Sequence, residues 1–116
     1  MAESVLQTVC YCRRLTTRFE TTESVYALWS CEGRDGLSRV RDLSLGGLFI
    51  ESHVEAGIGA PVKLDVLADE GQIRASAVVR HVRRGHGMGL KLIAINDQDC
   101  RRLAGLMKRL RTWAFL

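Results

Sequence analysis

Val62-Lys63-Leu64-Asp65-Val66-Leu67-Ala68 sets Val62, Leu64, Val66 and Ala68 against Lys63 and Asp65, the two-residue period of a strand with one buried face. Gly57-Ile58-Gly59-Ala60-Pro61 turns the chain just before it. Just after it, Gln72 to Arg84 repeats the pattern, with Ile73, Ala75, Ala77 and Val79 opposed to Arg74, Ser76 and Arg80. Gly85-His86-Gly87 then supplies a hairpin into Met88 to Ile95. Upstream, Ser24 to Cys31 places Val25, Ala27, Trp29 and Cys31 on one face, and its β-branched and aromatic content suits a strand. Glu32 to Gly36 reads as a turn, Leu37 to Arg41 as a second strand, Gly46-Gly47 as punctuation and Leu48 to Ile50 as a third strand. The six short strands predict a mainly β fold: a small six-stranded antiparallel barrel, closed because closure removes the edges that an open sheet would expose.

After Ile95 the period changes to that of a helix. Asn96 suits an N-cap, Asp97 and Asp99 suit the positive end of the helix dipole, and Cys100, Leu103, Met107, Leu110 and Ala114 recur at three- and four-residue steps. A C-terminal amphipathic helix over 96–113 is expected. Lys108, Arg109 and Arg111 fall in its closing turns, where cations favour the dipole. The resulting division is an N-terminal extension at 1–12 and a single domain at 13–116, made of an arginine-bearing arm (13–23), the barrel (24–95) and the helix. Composition agrees, since 116 residues with 47% hydrophobic content and one proline suit a single core and exclude global disorder.

Fourteen of the seventeen basic residues are arginine, and the net charge is +4. Guanidinium forks onto phosphates and guanine edges and stacks on planar rings, so an anionic, planar partner is the first expectation. Cys10, Cys12, Cys31 and Cys100 have no zinc-ligand spacing and are read as reduced thiols, with Cys31 and Cys100 on apolar stripes. The N-terminus carries no secretory leader, and no stretch approaches a membrane span of about 20 apolar residues, so a cytoplasmic protein without membrane insertion is expected. His53, His81 and His86 share no metal spacing and stand near no GxSxG serine, and they are assigned no chemistry.

Two pieces remain: Arg14-Leu15-Thr16-Thr17-Arg18, and Asp42-Leu43-Ser44-Leu45-Gly46-Gly47. Arginine pairs four apart are common in so arginine-rich a chain and say little alone. An Asp-x-Ser-x-x-Gly pattern arises by chance in roughly one such sequence in thirty. A turn in which Asp and Ser bond local backbone accounts for the second piece without a ligand; its order after the arginines, at a strand-to-strand turn and before a terminal helix, adds specificity. In that order the chain closely resembles the PilZ family, bacterial receptors for cyclic di-GMP whose signature is RxxxR followed by [D/N]xSxxG. The resemblance covers about 13–110 and extends to Gly87-Met88-Gly89-Leu90-Lys91-Leu92, where Leu92 stands in place of a frequent Phe.

The resemblance implies that Arg14 and Arg18 engage guanine edges and phosphates from an arm that closes over the ligand. It places Asp42, Ser44, Gly46 and Gly47 in the same site. Chemically, Asp42 suits the N1–H and N2–H₂ donors of guanine, Ser44 offers a hydroxyl two residues on, and Gly47 permits a backbone conformation or a close approach. In the family an arginine at the position of Arg13 accompanies capture of two stacked cyclic di-GMP molecules, which leaves one or two per site open. The implied function is a cyclic di-GMP receptor that changes conformation and regulates a downstream protein in motility, attachment, exopolysaccharide or virulence, with no other cofactor and no catalysis. A ligand-blind adaptor of the same fold is the alternative. DNA or RNA binding is not expected, because the seven aromatics are not interleaved with the arginines. Monomer and homodimer both remain open.

Overall fold

The computed structural model describes residues 19–21, 24–54 and 56–114. Its elements are β1 (Phe19–Glu20), β2 (Tyr26–Cys31), β3 (Arg34–Ser44), β4 (Gly47–Glu51), β5 (Pro61–Ala68), β6 (Gly71–Arg83), β7 (Gly87–Ile95) and α1 (Asp97–Ala114). All pairings are antiparallel, in the order β1-β3-β2-β5-β6-β7-β4, and β4 returns to pair with β3. That last pairing closes β2 to β7 into the six-stranded barrel that the alternation predicts, and β1 is an added short strand on β3.

The inward positions are those the two-residue period marks: Val25, Ala27, Trp29 and Cys31, then Val62, Leu64 and Val66, then Ile73, Ala77 and Val79, all buried. Leu103, Leu106, Met107 and Leu110 of α1 join the same core. Leu103, Val40, Leu48, Leu64, Ile73 and Leu92 line a void of about 10 Å³ within the barrel. Such a volume is at the threshold for a single water. The barrel interior is thus filled by side chains of the strands and of α1.

The β2–β3 turn is tighter than the sequence suggests. Only Glu32 and Gly33 lie between Cys31 and its partner Arg34, both with positive φ (53° and 77°), as a two-residue hairpin matched to strand twist requires. Asp35 and Gly36 already belong to β3. Gly36 lies opposite Trp29, and any side chain there would overlap the indole ring. The indole Nε1–H in turn donates to Ser38 Oγ at 2.9 Å, which satisfies a buried polar pair.

Helix α1 begins as its sequence indicates, with Asn96 Oδ1 accepting from the Asp99 N–H at 2.8 Å. Two arginines clamp it to the barrel. Arg102 donates to the Gln72 carbonyl at 3.1 Å, and Arg109 forks onto Glu70 at 2.7 and 2.9 Å. Arg109 thus has a specific partner in the β5–β6 turn beyond any dipole effect. Cys31 is a free, buried thiol whose pKa is pushed up by burial and then by Glu32. Cys100, packed against the core, is disulfide-bonded, which corrects the expectation of a reduced thiol there. Cys10 and Cys12 lie outside the described residues.

The Arg109 hydrogen bonds hold the Glu70 carboxyl below its ordinary range, against an opposing effect of burial. A carboxyl with a depressed folded pKa stabilises the fold above its unfolded value and ceases to do so as pH falls through the folded value. Glu70→Gln is therefore expected to cost about 1 kcal/mol at neutral pH. In thermal melts of both proteins, the gap should narrow and close as pH falls through the lowered folded value.

Candidate functional site

Strand β3 has two edges and three partner strands, β1, β2 and β4. On one edge, Arg34 to Arg39 pair with β2, and Asp42 and Leu43 pair with β1 at Glu20 and Phe19. On the other edge β4 pairs from Val40 to Ser44. The handover from β2 to β1 is made at Thr21. Its N–H donates to the Arg41 carbonyl at 3.1 Å, and its hydroxyl donates to the Val40 carbonyl at 2.7 Å. Arg39 closes the corner by donating to the Thr21 carbonyl at 3.2 Å. The chain that leaves the Arg14–Arg18 segment is thereby fixed beside Asp42. Arg13, Arg14 and Arg18 themselves lie outside the described residues.

A β-bulge sits at the same place. Val40 pairs with Ile50 and Asp42 with Phe49, so Arg41 is the extra residue. Strict alternation would turn Asp42 inward after the buried Val40; the bulge re-phases the strand, so that Arg41 is exposed, Asp42 half-buried and Leu43 buried. The carboxylate therefore reaches the outer wall because of an inserted arginine.

Ser44 and Gly47 have local duties. Ser44 is buried, and its hydroxyl donates to the Gly47 carbonyl at 3.3 Å and accepts from the Gly46 N–H at 3.2 Å. It organises the β3–β4 turn. Gly47 is required by approach, since a Cβ there would collide with the Leu90 carbonyl oxygen of β7. Gly46 is roomier, with the Ser44 Oγ at 3.8 Å from a Cβ built on it, and its carbonyl accepts from the Leu92 N–H at 2.9 Å.

Sequence reading missed what lies beside Asp42. The register places Asp42, Phe49, Gly89 and His81 in one row across β3, β4, β7 and β6. Phe49 points to the outer wall yet is only 5% exposed, because Arg41 (5.4 Å from the ring centroid), Arg83 (5.9 Å) and the His81 ring (5.9 Å, planes 30° apart) cover it. The available signal was the Gly87-x-Gly89 spacing, which strips side chains from the outer face of β7. Among the described residues no group of three His, Cys, Asp or Glu could hold a metal ion, and no helix is long and apolar enough to cross a membrane.

The PilZ domain family profile matches residues 13–109, which spans the arginine pair, the Asp42–Gly47 turn, the barrel and most of α1. The chain belongs to the PilZ domain family. No curated protein sequence matches significantly. Among solved structures, this PilZ domain is similar to apo MrkH of K. pneumonia at a TM-score of 0.70 and 18% identity, covering 84% of this chain and 51% of that one. A second MrkH crystal gives 0.71 and 20% identity, with 93% and 53% covered. The Bacillus subtilis inhibitor of motility, MotI/DgrA, gives 0.65 and 18%, with 87% and 53% covered. The PilZ chain thus spans about half the length of these structures, and at such identities the likeness is one of fold.

The two glycines of the turn should separate cleanly. Gly47→Ala is expected to destabilise the ligand-free protein by about 2–3 kcal/mol, because the Leu90 backbone cannot move aside without breaking the β4–β7 pairing. Gly46→Ala should cost under about 1 kcal/mol. Chemical denaturation of the two variants without ligand measures both.

Proposed function

We propose that this PilZ domain is a receptor for cyclic di-GMP that binds the ligand on its outer wall and passes the signal to a protein partner. The observation that carries this reading is the β1–β3 register: it roots the chain just after Arg18 against Asp42 and Leu43, which supports a site built from both halves of the family signature. A dianionic ligand with two guanines then meets two kinds of group it can use. Arg14 and Arg18 bring guanidinium for phosphate and the O6/N7 edge, with Arg13 adjacent for a second stacked molecule. Asp42 brings acceptors for N1–H and N2–H₂. The packed lumen favours the outer wall as the place for a ligand of this size.

Ser44, Gly46 and Gly47 act in this reading by shaping the turn that holds Asp42. The partner would read the ordered arm together with the wall next to it, where Tyr26 and Leu28 of β2, Leu37 of β3 and Leu67 of β5 are 41–59% exposed and adjacent by register. Contiguous exposed apolar residues of this kind mark interaction surfaces. The outputs suggested by the family are motility, attachment, exopolysaccharide and virulence, in a soluble cytoplasmic setting and without catalysis.

One observation favours the ligand-blind adaptor instead. The Ser44 hydroxyl both donates and accepts inside its own turn, so Asp-x-Ser-x-x-Gly has a structural explanation that needs no ligand. Calorimetric titration decides. Cyclic di-GMP should bind, Arg14→Ala and Arg18→Ala should each weaken it about 10- to 100-fold by removing charge-assisted bonds, and the melting temperature of the free protein should not move. No heat at high micromolar ligand would establish the adaptor. The same titration gives the stoichiometry, which tests Arg13.

A further inference from the structure

The row beside Asp42 is built by two bulges, one at each end. Arg41 is the extra residue in β3, and Arg80 is the extra residue in β6, where Val79 pairs with Leu90 and His81 with Gly89. In each strand an inward aliphatic residue, Val40 or Val79, precedes the inserted arginine. Each insertion turns the next residue outward, Asp42 at one end of the row and His81 at the other. Bulges of this sort re-aim side chains at functional surfaces.

Between these ends the wall is flattened by glycine. A Cβ on Gly89 would overlap the His81 ring, and one on Gly87 would lie 2.8 Å from the Phe49 ring. Both rings therefore lie down on β7. Phe49 is the buried layer, and the layer over it consists of His81, Arg41 and Arg83, all exposed. If hiding Phe49 from water were the only need, aliphatic side chains would do it better; every group present is instead planar and nitrogen-bearing, the kind that stacks on a base. At about 4.8 Å per strand, Asp42 and His81 stand about 14 Å apart along the row, longer than a single purine.

We propose that His81, backed by Phe49 and flanked by Arg41 and Arg83, is the plate on which one purine of the bound dinucleotide lies, while Asp42 at the far end of the row holds the edge of the other. This rests on the reading of the chain as a cyclic di-GMP receptor. It divides recognition in two, because an edge contact distinguishes bases whereas a face contact does not.

The test is calorimetric titration of the full chain and its variants with cyclic di-GMP and cyclic di-AMP. His81→Ala should weaken cyclic di-GMP binding about tenfold, with the ratio of the two affinities unchanged. Asp42→Asn should instead narrow that ratio. His81→Trp should restore the affinity and add a fluorescence signal that guanine quenches on binding, which a merely structural histidine would not produce. If the parent protein binds and His81→Ala binds equally well, the plate is wrong and the receptor reading stands. If the parent does not bind, both fall.

Discussion

A strand has two edges, and β3 must satisfy both over eleven residues while three strands compete for them. The lower part of one edge goes to β2 and the upper part is left to β1, because β2 starts only at Tyr26, opposite Arg39. Unpaired backbone groups on Arg41 and Val40 would be costly where the wall is covered. Thr21 answers both, and in doing so determines where the N-terminal segment joins the barrel. The location of the candidate site thus follows from backbone hydrogen-bond accounting at one corner, before any charged side chain is considered.

How much of this was legible in the sequence depends on whether the signal was periodic. The alternation of Val62 to Ala68 and of Ile73 to Val79 placed those strands correctly, since a two-residue period leaves little freedom of register. The helix was legible from its cap and stripe, although the fully buried Leu106 lies beside that stripe rather than on it. What escaped was aperiodic. Two paired residues, Phe19 and Glu20, are too few to show a pattern. The Asp35-Gly36 pair resembles a turn, yet Gly36 is there to admit the Trp29 indole across the strand. A bulge is by nature an interruption of alternation, so the outward turns of Asp42 and His81 could not be read from spacing. The Ser44 hydroxyl was legible as a donor and acceptor, but not that the turn itself uses it.

The arginine excess also divides along physical lines. Arg102 and Arg109 find partners in the Gln72 carbonyl and Glu70 and serve the helix–barrel junction. Arg39 bonds the Thr21 carbonyl and stands 3.5 Å from Glu51, bracing the corner where the arm enters. Arg41 and Arg83 lie over an aromatic ring. These are three different uses of one planar cation: forked ion pairing, carbonyl capping and ring stacking. The bulk charge reports none of them.

The solid lumen has a mechanical corollary. A close-packed interior has low compressibility and few alternative packings, so a ligand on the outer wall has no second core arrangement to select. On the proposed reading the signal would run along the surface, as charge added to a wall that itself stays put, and a partner would sense it by touching that wall near the ligand.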